Sequence, residues 1–102
     1  MNVALIGSGS WGTAIAGLAA ARAEHVTMWA HSEQTAAGIN AEHRNPRYLV
    51  SYELPSNVVA TTDLAQALDG ADAIIFAVPS THLRGVCHQA APHIAANAPV
   101  LC

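Results

Sequence analysis

Six residues near the start of the chain, Gly7-Ser8-Gly9-Ser10-Trp11-Gly12, restrict its fold more than any other stretch. They follow an apolar run, Val3-Ala4-Leu5-Ile6, and lead into an alanine-rich segment over 13–22. A strand, then G-x-G-x-x-G, then a helix is the context in which this short pattern becomes informative. Gly7 then permits the tight turn out of the strand. Gly9 removes a side chain where backbone must approach a pyrophosphate, and Gly12 lets the helix pack closely on the sheet. The phosphates sit at a helix N-terminus, where unpaired N–H groups and the positive dipole end attract anions. A glycine-rich turn without a ligand is the plain alternative, and the flanking elements favour nucleotide binding over it.

The rest of the chain alternates strands and helices. The first strand spans about 2–6 and the first helix about 10–22, with Ala14, Ile15, Leu18 and Ala19 on one stripe at helical spacing. A second strand covers 25–29, and Ser32 is placed to cap a helix over 33–42. Asn45-Pro46-Arg47-Tyr48-Leu49 and Leu54-Pro55-Ser56-Asn57 are loop signals, the prolines excluding regular structure. A third strand covers 58–61, and Thr62 or Asp63 caps a short helix ending near Asp69-Gly70. The run 73–78 is continuously apolar, as a central strand covered on both faces requires. Pro79 ends it, Ser80 caps a helix to about residue 91, and Pro92 interrupts or ends that helix. Pro99-Val100-Leu101-Cys102 begins a fifth strand, at which the chain stops. This alternation predicts an α/β fold with a doubly wound parallel sheet, strand order 3-2-1-4-5. Residues 1–102 then form one dinucleotide-binding domain.

Composition narrows the function classes. The chain is 52% hydrophobic and only 11% charged, which excludes disorder and suggests a surface partly meant to be covered. Its four basic residues are all arginines (Arg22, Arg44, Arg47, Arg84), and the net charge of −3 offers no basic patch for nucleic acid. No apolar run approaches a membrane span, and the N-terminus lacks the basic start of a signal peptide. Cys87 and Cys102 show no metal or redox spacing and read as reduced thiols of a cytoplasmic protein. His82, His88 and His93 fit no zinc pattern, so no metal site is expected.

Three blocks together resemble the NAD(P)-dependent glycerol-3-phosphate dehydrogenases: Gly7-Ser8-Gly9-Ser10-Trp11-Gly12-Thr13-Ala14; Asn45-Pro46-Arg47-Tyr48-Leu49 with Leu54-Pro55; and Ala71-Asp72 through Ala77-Val78-Pro79-Ser80. The first and third are shared with several Rossmann dehydrogenases, whereas Ser-Trp-Gly-Thr and the Asn-Pro-x-Tyr-Leu loop are more specific. The resemblance implies reduction of dihydroxyacetone phosphate to sn-glycerol 3-phosphate, a phospholipid precursor, with NAD or NADP as cofactor. It places Gly7, Gly9, Ser10, Trp11 and Gly12 at the cofactor phosphates, His31 and Ser32 beside the adenosine ribose, Tyr48 over the cofactor, and Pro79 and Ser80 at the crevice. It also implies a second, helical domain. The family's catalytic lysines lie beyond the fifth strand and in that domain. This chain has no lysine, so it carries no catalytic residue and is expected to be inactive alone.

Three of the site residues have a structural alternative. Trp11 would plug space above the sheet, Tyr48 would anchor its own loop, and Ser80 is first a helix cap. The end of the second strand lacks the acid that usually accepts a ribose 2′-OH, since Ala30 and His31 stand there and Glu33 belongs to the next helix. NADP is therefore expected to be tolerated. The rival readings are a Rossmann dehydrogenase for a hydroxy acid or sugar nucleotide, and a non-catalytic nucleotide-sensing domain. The short, apolar last strand leads to the expectation that the isolated domain self-associates or is only marginally stable.

Overall fold

The computed structural model describes residues 1–95 and 97–101. Strands and helices alternate: β1 (Asn2–Ile6), α1 (Ser10–Ala20), β2 (His25–Trp29), α2 (Glu33–Glu42), β3 (Val58–Thr61), α3 (Leu64–Leu68), β4 (Ala73–Phe76), α4 (Ser80–Ala90) and β5 (Val100–Leu101). A 3₁₀ turn over Ala91–His93 contains Pro92 and follows α4. The strands form one parallel sheet in the order β3-β2-β1-β4-β5, as expected of a doubly wound α/β fold. Cys102, the last residue of the expected fifth strand, lies outside the described residues.

β1 is the centre of this sheet, and its side chains feed two cores. Val3 and Leu5 join the core under α1 and α2, with Val26, Met28 and Ile39. Ala4 and Ile6 join the opposite core under α3 and α4, with Ile74, Phe76 and Leu68. A strand buried on both faces must be apolar at consecutive positions, which explains Val3-Ala4-Leu5-Ile6. Each large aliphatic side chain so buried contributes roughly 1.5–3 kcal/mol.

α1 differs from the stripe expected for it. Its buried residues are Gly12, Thr13, Ala16, Gly17 and Ala20, whereas Leu18 is 74% exposed. The small residues decide the orientation. A Cβ on Gly12 would lie 2.6 Å from the Gly7 carbonyl oxygen, and one on Gly17 would collide with the Tyr52 hydroxyl. Only the small face can approach the turn and the loop, so Leu18 turns outward, while Ile15 and Ala19 of the expected stripe still pack on the core. The helix also ends at Ala20, two residues early. Asn57 Nδ2 donates to the carbonyls of Ala20 and Ala23, at 2.9 and 3.0 Å, and satisfies that end.

Two further boundaries shift. β4 stops at Phe76 rather than 78, because its partner β1 stops at Ile6 where Gly7 turns away; one last bond runs from Ala77 N–H to the Ile6 carbonyl at 2.8 Å. Ser80 is the first residue of α4, and Pro79 holds the cap position with no side-chain cap. Ser32 does hold the cap position of α2, yet its hydroxyl makes no capping bond. At α3 the choice resolves to Asp63, whose carboxylate accepts from Ala65 and Gln66 N–H groups.

The outer edge of β3 is closed from within the chain. Asn40 of α2 donates from Nδ2 to the Ala60 carbonyl and accepts at Oδ1 from the Ala60 N–H, both at 2.8 Å. One side-chain amide thus stands where a further strand would pair. The opposite edge, β5, keeps Val100 and Leu101 exposed.

Candidate functional site

The sheet order reverses between β1 and β4, and the turns leaving the carboxyl ends of these strands converge there. Open α/β sheets bind ligands at this point. Gly7 leaves β1 with φ of 137°, a conformation that L side chains rarely adopt, and a Cβ there would strike the Ala77 carbonyl. The glycine turn therefore rests directly on the residue that follows β4. Gly12 closes the turn from the other side through its approach to Gly7.

Gly9 behaves differently. Its φ is −76°, which any residue can adopt, and a Cβ on it would meet nothing within 4 Å. Nothing inside the domain requires glycine at this position. The open space faces the start of α1, whose first turn carries neither an acidic residue nor a side-chain cap. Free N–H groups beside vacant space suit an anion such as a pyrophosphate.

Ser10 begins α1 and is exposed, and Trp11 is 77% exposed. That exposure overturns the view of Trp11 as a plug above the sheet. His31 is exposed after β2, its ring edge-on to Trp29 with centroids 5.9 Å apart. Ser32 is half-buried, and Pro79 and Ser80 are exposed after β4. All of these lie at the carboxyl end of the sheet, by virtue of following parallel strands.

Among the described residues, Tyr48 is tied to the glycine turn only through Asn45, which accepts from its N–H and donates to Ser8. It lies in the long loop after α2, which four contacts pin to the framework. Asn45 is buried, with Nδ2 donating to the Ser8 carbonyl at 2.7 Å and to Thr13 Oγ1 at 2.9 Å. Pro46 packs on Gly38, where a Cβ would lie 2.8 Å from its ring. Tyr52 packs on Gly17, and Leu54 is buried with its N–H bonded to the His43 carbonyl at 2.7 Å. The sequence marked Asn45 as part of the Asn-Pro-x-Tyr-Leu loop block but not its bonds, and it did not single out Tyr52. Their partners are remote in the chain, and no local pattern announces them.

Among the described residues, no three His, Cys, Asp or Glu side chains gather into a metal-binding group. His82, His88 and His93 are all exposed. Among the described residues, no helix is long and apolar enough to cross a membrane. Cys87 is unpaired, while Cys102 lies outside the described residues.

Residues 2–102 match the family model described as NAD-dependent glycerol-3-phosphate dehydrogenase N-terminus. The chain belongs to that family. It is 47% identical over 91 residues to the glycerol-3-phosphate dehydrogenase [NAD(P)+] of Corynebacterium aurimucosum, covering 89% of this chain and 27% of that protein. It is 39% identical over its whole length to the enzyme of the same name from Anaeromyxobacter sp., covering 31% of that protein. Among solved structures, glycerol-3-phosphate dehydrogenase from Coxiella burnetii superposes with a TM-score of 0.88 at 33% identity, over 97% of this chain and 30% of that one. A ketopantoate reductase from Ralstonia eutropha gives 0.81 at 32% identity, over 100% and 33%. The chain thus spans less than a third of the length of these curated relatives.

Proposed function

We propose that this domain binds NAD or NADP across the β1–β4 crevice and serves a glycerol-3-phosphate dehydrogenase. In the complete enzyme, dihydroxyacetone phosphate would be reduced to sn-glycerol 3-phosphate for glycerophospholipid synthesis. The single observation that carries the reading is Gly9, a glycine that no contact and no backbone angle within the domain demands.

The bound nucleotide supplies the hydride, and the protein's task is to hold and orient it. Gly7 and Gly12 shape the turn, and Gly9, Ser10 and the backbone of Trp11 receive the pyrophosphate at the start of α1. His31 and Ser32 flank the adenosine ribose. Tyr48 covers the cofactor from the loop, and Pro79 and Ser80 border it beyond β4. In the complete enzyme, the groups that polarise the substrate carbonyl would lie just beyond the fifth strand and in a helical second domain. A cytoplasmic setting accords with the unpaired Cys87.

Calorimetric titration of the chain with NADH and NADPH tests the binding role, and saturable binding of either is expected. The parent protein is then assayed with dihydroxyacetone phosphate and with ketopantoate, since one structural relative acts on the latter class. Reduction of dihydroxyacetone phosphate is the expected result. Failure of the chain to bind either nucleotide would overturn the reading.

A further inference from the structure

We propose that Asn45 is a positioning residue for the cofactor, setting the Tyr48 loop at a fixed distance from the glycine turn. The proposal rests on the dinucleotide reading of the crevice and goes beyond it, because Asn45 itself need not touch the ligand.

The side chain is fully buried at 0% exposure, and each end of its amide serves a different half of the site. The Nδ2 end donates to the Ser8 carbonyl, inside the glycine turn, and to Thr13 Oγ1, in the first turn of α1. Thr13 is itself fully buried. The Oδ1 end accepts from the N–H groups of Arg47, at 2.9 Å, and Tyr48, at 3.1 Å. Both donors and both acceptor directions of the amide are engaged. A primary amide offers this two-sided complement. Aspartate keeps the acceptor end and loses both donors, and leucine loses everything.

The consequence is geometric. Residues 46–57 form a long connection without regular structure, which on its own would sample many positions. Ordering such a loop at the moment of binding would weaken affinity. Asn45 fixes its start against Ser8 before any ligand arrives, so the turn that meets the pyrophosphate and the loop that carries Tyr48 move as one body. Buried amides with every hydrogen bond satisfied hold geometry well, and the same low dielectric makes the loss of one donor costly.

The test compares wild type, Asn45→Asp and Thr13→Val in the full chain. NADH and NADPH affinities are measured by calorimetry, and amide exchange is followed at Tyr52 and Leu54, in the same loop, with and without nucleotide. Asn45→Asp should weaken binding by about tenfold or more, leaving the half-buried Ser8 carbonyl facing a carboxylate that cannot donate to it. The loop amides of Tyr52 and Leu54, whose bonds do not involve residue 45, should lose the protection that nucleotide confers in the wild type, while exchange in β1, β2 and β4 stays unchanged. A residue that merely stabilises the fold would lower the melting temperature without separating the loop's response from the sheet's. Should Asn45→Asp not fold, Thr13→Val decides, because it removes one acceptor and keeps the Ser8 bond; about threefold weaker binding is then expected. Affinity and loop protection like those of wild type in the folded variant would overturn the role of Asn45 alone. A wild-type chain that binds neither nucleotide would overturn the cofactor reading, and this one with it.

Discussion

Thr62 donates its hydroxyl to the carboxylate of Glu33 at 2.6 Å, across the gap between the end of β3 and the start of α2. The Trp29 indole N–H binds the carbonyl of the same threonine at 3.0 Å. Glu33 is the acid nearest in sequence to the end of β2, where a ribose acceptor would be sought, and its carboxylate is drawn toward β3 instead. With Glu33 so held, the chain should bind NADP no more than about tenfold worse than NAD, a difference of about 1.4 kcal/mol. Thr62→Val should release the carboxylate and shift selectivity toward NAD, and His31→Asp should shift it further. Calorimetry with both nucleotides measures the ratio. A wild-type preference for NAD of about a hundredfold would show that Glu33 reaches the ribose despite Thr62.

The glycines of the turn should separate into two kinds. Gly9→Val should abolish nucleotide binding and leave the melting temperature nearly unchanged, because a side chain there enters open space. Gly12→Val should destabilise the domain by about 2 kcal/mol or more, since its Cβ must displace backbone. Thermal melts beside titrations distinguish the two, and equal nucleotide affinity in wild type and Gly9→Val would reduce the turn to a structural element.

The 102-residue chain should reduce no dihydroxyacetone phosphate. It has no lysine to assist the carbonyl. Purified protein mixed with substrate and NADH or NADPH should show only background oxidation; turnover that follows the protein through purification would place catalysis within these residues.

Removing the amide that closes β3 should be visible in solution. Asn40→Ala leaves the Ala60 N–H and carbonyl without their partner, at a cost of about 1–2 kcal/mol. The variant should also associate more readily through that edge. Melting curves and sedimentation over a concentration series check both effects, and an unchanged monomer fraction would show that the edge is shielded by something other than Asn40.

On the opposite side, Val100 and Leu101 are exposed on a two-residue edge strand. The chain alone should self-associate there, and Leu101→Lys should reverse it, because an edge lysine opposes strand pairing. Sedimentation of the two proteins settles the matter; a wild type that stays monomeric at high concentration would refute it.

The strand order was readable because β1 and β4 are apolar at consecutive positions and the glycine turn fixes where the sheet reverses. The direction of α1 was not, because hydrophobic spacing favours Leu18 while close approach favours Gly12 and Gly17, and steric contact prevailed. The asparagines show the same division. Asn45 as an acceptor for the next residues' N–H groups is ordinary turn chemistry. Its bonds to Ser8 and Thr13, like those of Asn40 to Ala60 and Asn57 to Ala20, join residues 20 or more positions apart. Such pairings exist only once the sheet has formed.

The bond pair between Asn40 and Ala60 gives the sheet a finished side and an open one. Any strand contributed by more polypeptide, or by a neighbouring molecule, can lengthen the sheet beyond β5 but not beyond β3. Growth of this architecture is therefore one-directional. Fusions, insertions or designed extensions of the sheet belong on the β5 flank, whereas a graft on the β3 flank would first have to evict an amide already seated there.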